Sequence, residues 1–129
     1  MSGEMKKYRD VMSERMLEFA INIIKLDNSS KDTYCVKHIY GQLFRAGTSA
    51  GANFEESIGA ESKADFIHKT QLVLKELRES NFWLKLLYRS SMIVNENSNL
   101  QLMLHECLEL IKIFSSSLVT AKKTLHKNK

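Results

Sequence analysis

The stretch RAGTSAGANFEE, residues 45–56, decides the fold, because its small residues 46–52 lie inside a segment that otherwise reads as helix. Gly47 and Gly51 each cost a helix about 1 kcal/mol relative to alanine. Since they are four residues apart, they share one face, where a neighbouring helix can approach closely. Membrane helices use similar spacing, but the charged flanks of this stretch exclude a bilayer. We therefore predict a tight contact between helices of a soluble bundle, with Gly47 and Gly51 as its close-packing residues.

Length and composition predict one all-α domain covering residues 1–129. The chain has no proline, five glycines and 43% hydrophobic residues, which favours long uninterrupted helices. The N-terminus is polar and lacks an apolar leader, so the two cysteines are expected to be reduced in a cytoplasmic protein. No apolar run approaches the roughly 18 residues that a membrane span needs, so we expect no membrane partner.

Apolar residues recur at intervals of three and four in four segments, about 8–26, 32–60, 63–93 and 99–125. Ile24 falls on the apolar stripe of the first segment and Leu108 on that of the fourth. Ser62 and Asp65 have the spacing of a capping box at the start of the third. Because the connections are short, the pattern predicts an antiparallel up-down-up-down four-helix bundle.

The third segment has more apolar surface than one core needs. Leu72, Trp83 and Leu86 lie off its main stripe and share a second one. A monomer would expose this stripe, and large exposed apolar surfaces are typical of protein interfaces. We therefore predict that the three residues form a homo-oligomer interface. The alternative is a helix that is simply more buried than its neighbours.

Polar residues accompany the small ones on the second segment. Ser49, Asn53 and Glu56 recur at positions i, i+4 and i+7, and Arg45 precedes them. The candidate partners on the third segment are Glu76, Arg78 or Glu79. A buried polar network fixes helix register when its members are satisfied. We interpret this group as structural, because no nucleophile with a paired base accompanies it.

Three segments carry a resemblance to a known family: residues 45–56, 62–69 and 75–84. They resemble the four-helix-bundle proteins of the 23S rRNA intervening-sequence family, most specifically over residues 43–87. Ser49, Asn53 and Glu56 fit the family's pattern of a serine, an asparagine four residues later and then an acidic residue. The resemblance implies a bacterial protein that forms a closed ring, typically a homopentamer with a central channel, and it implies no enzyme. A related branch serves as a basic accessory protein to the reverse transcriptases of diversity-generating retroelements.

Two short spacings raise the question of a metal site. Asp65-x-x-His68 and Cys35-x-x-His38 each place two possible ligands on one helical face. Both sets are incomplete, because di-metal bundles use Glu-x-x-His on two helices and a structural zinc site needs four convergent ligands. We predict no metal and no cofactor.

Basic residues concentrate at the two ends of a chain whose net charge is +4. The candidates are Lys6, Lys7, Arg9, Lys112, Lys122, Lys123, Lys127 and Lys129. In an up-down bundle both termini lie at the same end, so these residues are expected to form one surface that binds RNA or single-stranded DNA through phosphates. The alternative is that the C-terminal lysines complement a helix dipole and keep the tail soluble.

These patterns together predict a non-enzymatic homo-oligomeric scaffold or adaptor. It would bind RNA or DNA, or assist a nucleic-acid enzyme such as a reverse transcriptase. Two alternatives stay open, a protein-only structural interaction module and a metal-dependent enzyme, and the incomplete ligand sets disfavour the second.

Overall fold

Four α-helices make up almost all of the computed structural model, which describes residues 2–26 and 33–127. They are α1 (Gly3–Leu26), α2 (Tyr34–Ile58), α3 (Lys63–Ser90) and α4 (Asn97–Lys127), with a short 3₁₀ helix at Val94–Glu96 before α4. The four predicted segments are therefore present and the all-α class is confirmed. The connection between the first two predicted segments lies outside the described residues.

The helix ends differ from the predicted ones by a few residues. The first helix begins at Gly3 instead of near Tyr8, and the third ends at Ser90 instead of near residue 93. The N-terminal caps explain where two helices start, since the Thr33 hydroxyl accepts a hydrogen bond from the Val36 amide and Ser62 accepts one from the Asp65 amide at 3.0 Å. The capping position predicted at Ser62 is therefore observed.

Each helix runs antiparallel to its neighbours. In the α1–α2 contact, Gly47 lies against Ile23 and Gly51 lies against Met16. In the α3–α4 contact, Gln101 bonds to Tyr88 and Cys107 bonds to Leu77. In both contacts the residue numbers rise along one helix as they fall along the other. The α2–α3 contact is the most extensive, while the α1–α4 contact that closes the bundle is the sparsest. This arrangement is the predicted up-down-up-down bundle.

The core runs along the axis of the bundle and receives fully buried side chains from every helix, among them Phe19, Leu43, Leu77 and Leu110. None of the described helices combines the length and apolar character needed to cross a membrane. Two residues predicted on the apolar stripes are about half exposed, Ile24 at 51% and Leu108 at 48%. Their helix faces point outward, because the neighbouring helices cover a narrower stripe than the sequence pattern suggests.

The two glycines of the small-residue stretch have different surroundings. A Cβ atom on Gly47 would overlap Cδ1 of Ile23 and lie 3.5 Å from the Phe19 ring. A Cβ atom on Gly51 would lie 3.9 Å from Met16, which is ordinary van der Waals contact. The structure therefore places a close approach of α1 and α2 at Gly47 and leaves room for a methyl group at Gly51.

Candidate functional site

The seam between α2 and α3 holds the polar residues predicted around the small-residue stretch. The Arg45 guanidinium donates hydrogen bonds to Glu76 at 3.2 Å and to Glu79. The bond from Arg45 is the main reason that the pKa of Glu79 lies below its usual value. Of the three candidate partners on the third helix, Glu76 and Glu79 thus contact Arg45.

The other members of the predicted polar network do not connect to Arg45. The Asn53 amide donates to the backbone carbonyl of Ser49 at 3.0 Å, within its own helix. Glu56 pairs with Lys69 of α3 at 3.2 Å. The seam therefore contains separate ion pairs at two levels of the bundle, an arrangement that fits a structural role.

The second apolar stripe on α3 is partly covered within one chain. Leu72 and Trp83 are half-buried, while Leu86 is 37% exposed. The Trp83 ring makes edge-to-face contacts with His38 of α2 and with Phe82. Apolar side chains are also exposed outside this stripe, at positions where the sequence did not predict exposure. Those side chains include Leu17, Ile24, Phe44, Leu102, Leu108 and Val119.

The residues considered for metal binding lie in unrelated places. Cys35 is exposed near the start of α2, whereas Cys107 is buried between α3 and α4. Burial raises the pKa of the Cys107 thiol to about 12, and its Sγ lies 3.3 Å from the Leu77 carbonyl oxygen that it donates to. Across residues 2–26 and 33–127, no group of three or more histidine, cysteine or acidic side chains is placed to hold an ion.

A groove lies at the end of the bundle where α1 begins and α4 ends, with a volume of about 650 Å³. Met5 and Tyr8 of α1 line one side of it, so both ends of the chain do meet here. Lys112 of α4 and Lys63 of α3 also line the groove. A row of α4 hydroxyls lines another side, from Ser116, Ser117, Thr120 and Thr124. Apolar side chains complete the lining, from Phe66, Ile113 and Ala121. We call this site the basic groove.

Helical spacing divides the predicted basic residues between two faces of α4. Ser116, Thr120, Lys123 and Lys127 follow one another at intervals of four, three and four, so both lysines share a helix face with the hydroxyl row. Of the predicted basic residues, Lys112 lines the groove itself. Lys122 is exposed on a different face.

The remaining basic candidates sit elsewhere. Lys6 and Lys7 are exposed on the first turns of α1, and Arg9 is half-buried. Lys129 lies outside the described residues. The structure thus joins part of the predicted basic set to the groove and adds Lys63, which the sequence reasoning missed.

A smaller and more apolar recess adjoins the basic groove, with a volume of about 340 Å³. Each of the four helices contributes one aromatic side chain to it: Tyr8, Phe54, Phe66 and Phe114. Phe54 and Phe114 meet edge to face with ring centroids 5.4 Å apart. Partial burial raises the pKa of the Tyr8 hydroxyl, so this group stays a neutral hydrogen-bonding partner at neutral pH. We call this site the aromatic recess.

The groove and the recess share one wall. Met5, Tyr8, Phe66 and Ser117 line both, and the Lys63 ammonium lies 5.9 Å from the centre of the Phe66 ring. Sequence reasoning missed the recess because Phe54, Phe66 and Phe114 have the spacing of core residues. The one local signal was a lysine three residues before Phe66, on the same helical face.

Comparison with known proteins identifies relatives for most of the chain. The family model for the 23S rRNA-intervening sequence protein matches residues 10–116. No curated protein gives a significant match. A crystal structure from Bacteroides thetaiotaomicron VPI-5482 matches with a TM-score of 0.75 and 33% sequence identity, over 85% of this chain and 96% of that one. It is described as a protein with unknown function from the S23 ribosomal protein family.

Proposed function

Since this chain belongs to the 23S rRNA-intervening sequence protein family, we propose that it is a non-enzymatic adaptor that binds RNA or single-stranded DNA through the basic groove. The family name does not carry the proposal. One observation does: Lys63 and Lys112, from two different helices, line the same groove beside a row of hydroxyls on α4. Lysine ammoniums and hydroxyls are common protein contacts to phosphate oxygens.

The charge balance of the groove favours a polyanion. Lys123 and Lys127 extend its lysines along α4, and the carboxylate nearest to Lys112 is Glu109, at 3.8 Å. That pair is solvent-exposed, so it stabilises the chain by less than about 1 kcal/mol and competes only weakly with a phosphate. A single groove with so few lysines would bind weakly, because affinity for phosphates grows with the number neutralised.

Self-association is the second part of the proposal, because it would place several basic grooves on one particle. A pentamer would have a mass of about 75 kDa, five times the 14.9 kDa of one chain. The exposed apolar side chains of α1, α2 and α4 offer surface for such contacts in addition to Leu86 and the half-buried Leu72 and Trp83. Light scattering at micromolar concentration tests this part, and a monomeric mass would contradict it.

Nucleic-acid binding is tested by salt titration of fluorescent RNA and single-stranded DNA. The variant Lys63→Gln/Lys112→Gln should bind more weakly and show a shallower salt dependence, by about one unit of slope per lysine. The matched control Lys25→Gln/Lys85→Gln removes the same charge from exposed positions outside the groove and should bind more like the parent.

Two outcomes of the titration would contradict parts of the proposal. Equal losses in both double variants would show that overall charge, and not the groove, supplies the affinity. No binding by the parent at roughly 50 mM salt, where phosphate contacts are strong, would favour a protein-only interaction module.

A further inference from the structure

The aromatic recess distinguishes this site from a simple basic surface. A surface that holds only phosphates needs lysines and hydroxyls, which the basic groove already has. The recess instead offers aromatic walls from all four helices, and its volume of about 340 Å³ lies at the lower end of the range for small-molecule sites, about 300 to 1,000 Å³. Such a space suits one planar ring system.

We infer that the aromatic recess accepts one unpaired base of a nucleic-acid strand whose phosphates lie in the basic groove. This inference rests on the proposed function and names its ligand class, a single strand. The recess and the groove share the lining residues Met5, Tyr8, Phe66 and Ser117. Only these shared side chains would therefore separate a ring bound in the recess from Lys63 in the groove. A nucleotide joins a flat aromatic ring to a phosphate, and this combination matches the two adjoining sites.

The polar lining of the recess fits the edge of a base. Ser57 and Thr70 are buried, at 4% and 2% exposure, and they place hydroxyls among the aromatic rings together with Ser117. The Ser57 hydroxyl already donates to the Phe54 carbonyl at 2.6 Å, so it offers a base only an acceptor. The Thr70 and Ser117 hydroxyls can both donate and accept, so they tolerate the different edges of the bases. We therefore expect the recess to accept any base, and binding to depend little on sequence.

The charges that line the recess and the groove indicate which of the two sites holds the phosphates of the strand. Glu4 and Arg9 line the recess, whereas the lining of the groove contains lysines and no carboxylate. The opposite charges of Glu4 and Arg9 offset each other at the recess, whereas the lysines that line the groove have no carboxylate beside them in its lining, so the phosphates belong on the groove side. A duplex would have to flip out a base to use the recess, at a cost that a single strand avoids.

The inference is tested with two probes of equal charge. One is an eight-residue thymidine oligonucleotide, and the other is the same phosphodiester chain without bases. The parent protein should bind the oligonucleotide at least about tenfold more tightly, because each stacked base contributes appreciable affinity. Ser117→Leu fills the recess, so this variant should bind the oligonucleotide and the base-free chain with similar affinity. Ser116→Leu, the neighbouring substitution in the groove alone, should keep the parent's preference for the oligonucleotide.

A second variant guards against a misfolded Ser117→Leu protein. Tyr8 is 48% exposed, so Tyr8→Ala removes one wall of the recess with little loss of core packing, and it should also reduce the preference. Equal binding of both probes by the parent would overturn the base recess while leaving phosphate binding in the groove intact. No binding of either probe at low salt would overturn the proposed function and the inference with it. The inference would also be overturned if a folded Ser117→Leu protein still bound the oligonucleotide as much more tightly than the base-free chain as the parent does.

Discussion

The seam between α2 and α3 and the seam between α1 and α4 close the same bundle in different ways. The first has the most extensive contact in the molecule and carries ion pairs at two levels, Arg45 with Glu76 and Glu56 with Lys69. The second has the sparsest contact, and its ion pair joins Arg15 to Glu106. The basic groove and the aromatic recess both have walls from α1 and α4.

The difference shows where such a small bundle can have room for a ligand. Close packing between helices leaves few voids larger than a water molecule. Among neighbouring helices, α2 and α3 have the most extensive contact and α1 and α4 the sparsest, and the groove and the recess both reach the sparse side. The substitutions below test this contrast.

The largest expected effect is at the close contact of α1 and α2. Gly47→Leu should destabilise the protein by about 1 to 3 kcal/mol or more, because the added side chain overlaps Ile23, which is fully buried and has little room to move. Gly51→Ala should be neutral or stabilising by up to about 1 kcal/mol, since alanine favours the helix and the space is free. Urea denaturation of both variants measures the two changes.

Two substitutions at Gly51 serve as controls for this test. Gly51→Leu is bulkier than the space beside Met16 and should cost more than Gly51→Ala. If Gly47→Leu unfolds at the same urea concentration as the parent, α1 does not approach α2 as closely as described.

A smaller effect is the difference in coupling free energy between the ion pairs of the two seams. Arg15 makes two parallel hydrogen bonds to Glu106, one of them at 3.0 Å, and both side chains are about one-third exposed. A double-mutant cycle with Arg15→Ala and Glu106→Ala should give a coupling of about 1 kcal/mol. The corresponding cycle for Arg45 and Glu79 should give about 0.5 kcal/mol or less, because Arg45 is 47% exposed. Equal couplings would show that exposure does not distinguish the seams.

The smallest effect concerns pH. The pKa of Glu79 is lowered in the folded protein, chiefly by the hydrogen bond from Arg45. The folded state therefore binds this proton less readily than the unfolded state, so the stabilisation is present above the unfolded pKa of about 4.3 and is lost as pH falls through the folded value. Parent and Glu79→Gln should differ by less than about 1 kcal/mol at pH 7, and the difference should shrink as pH falls through the folded pKa of Glu79. A constant difference across that range would assign the effect to packing.

Much of the fold was predictable from the sequence, because it depends on local patterns. Apolar periodicity gave the four helices, and the hydroxyl of Ser62 marked the start of α3. The outward position of Ile24 and Leu108 was not predictable, since it depends on how closely the neighbouring helices cover each face. The same limit applies to Gly51, which shares its spacing with Gly47 but not its neighbours.

The candidate site was only partly predictable. The meeting of the two chain ends follows from the topology, and Lys112, Lys123 and Lys127 were recognised by charge alone. Lys63 and Phe66 belong to α3, in the middle of the sequence, and only the folded structure brings them beside Tyr8. A recess between helices leaves no periodic signal, because its walls have the same spacing as a filled core.

The sparse closure of α1 against α4 also has a consequence for folding kinetics. The α1–α2, α2–α3 and α3–α4 contacts join helices adjacent in the chain, which is the low contact order typical of fast folding. The Arg15–Glu106 contact instead spans 91 residues, so it carries the largest loop-closure entropy among the helix pairs described. Few apolar contacts offset that entropy. We therefore expect the three helical hairpins to form first and the groove and recess to take shape in the last step, when α1 docks on α4.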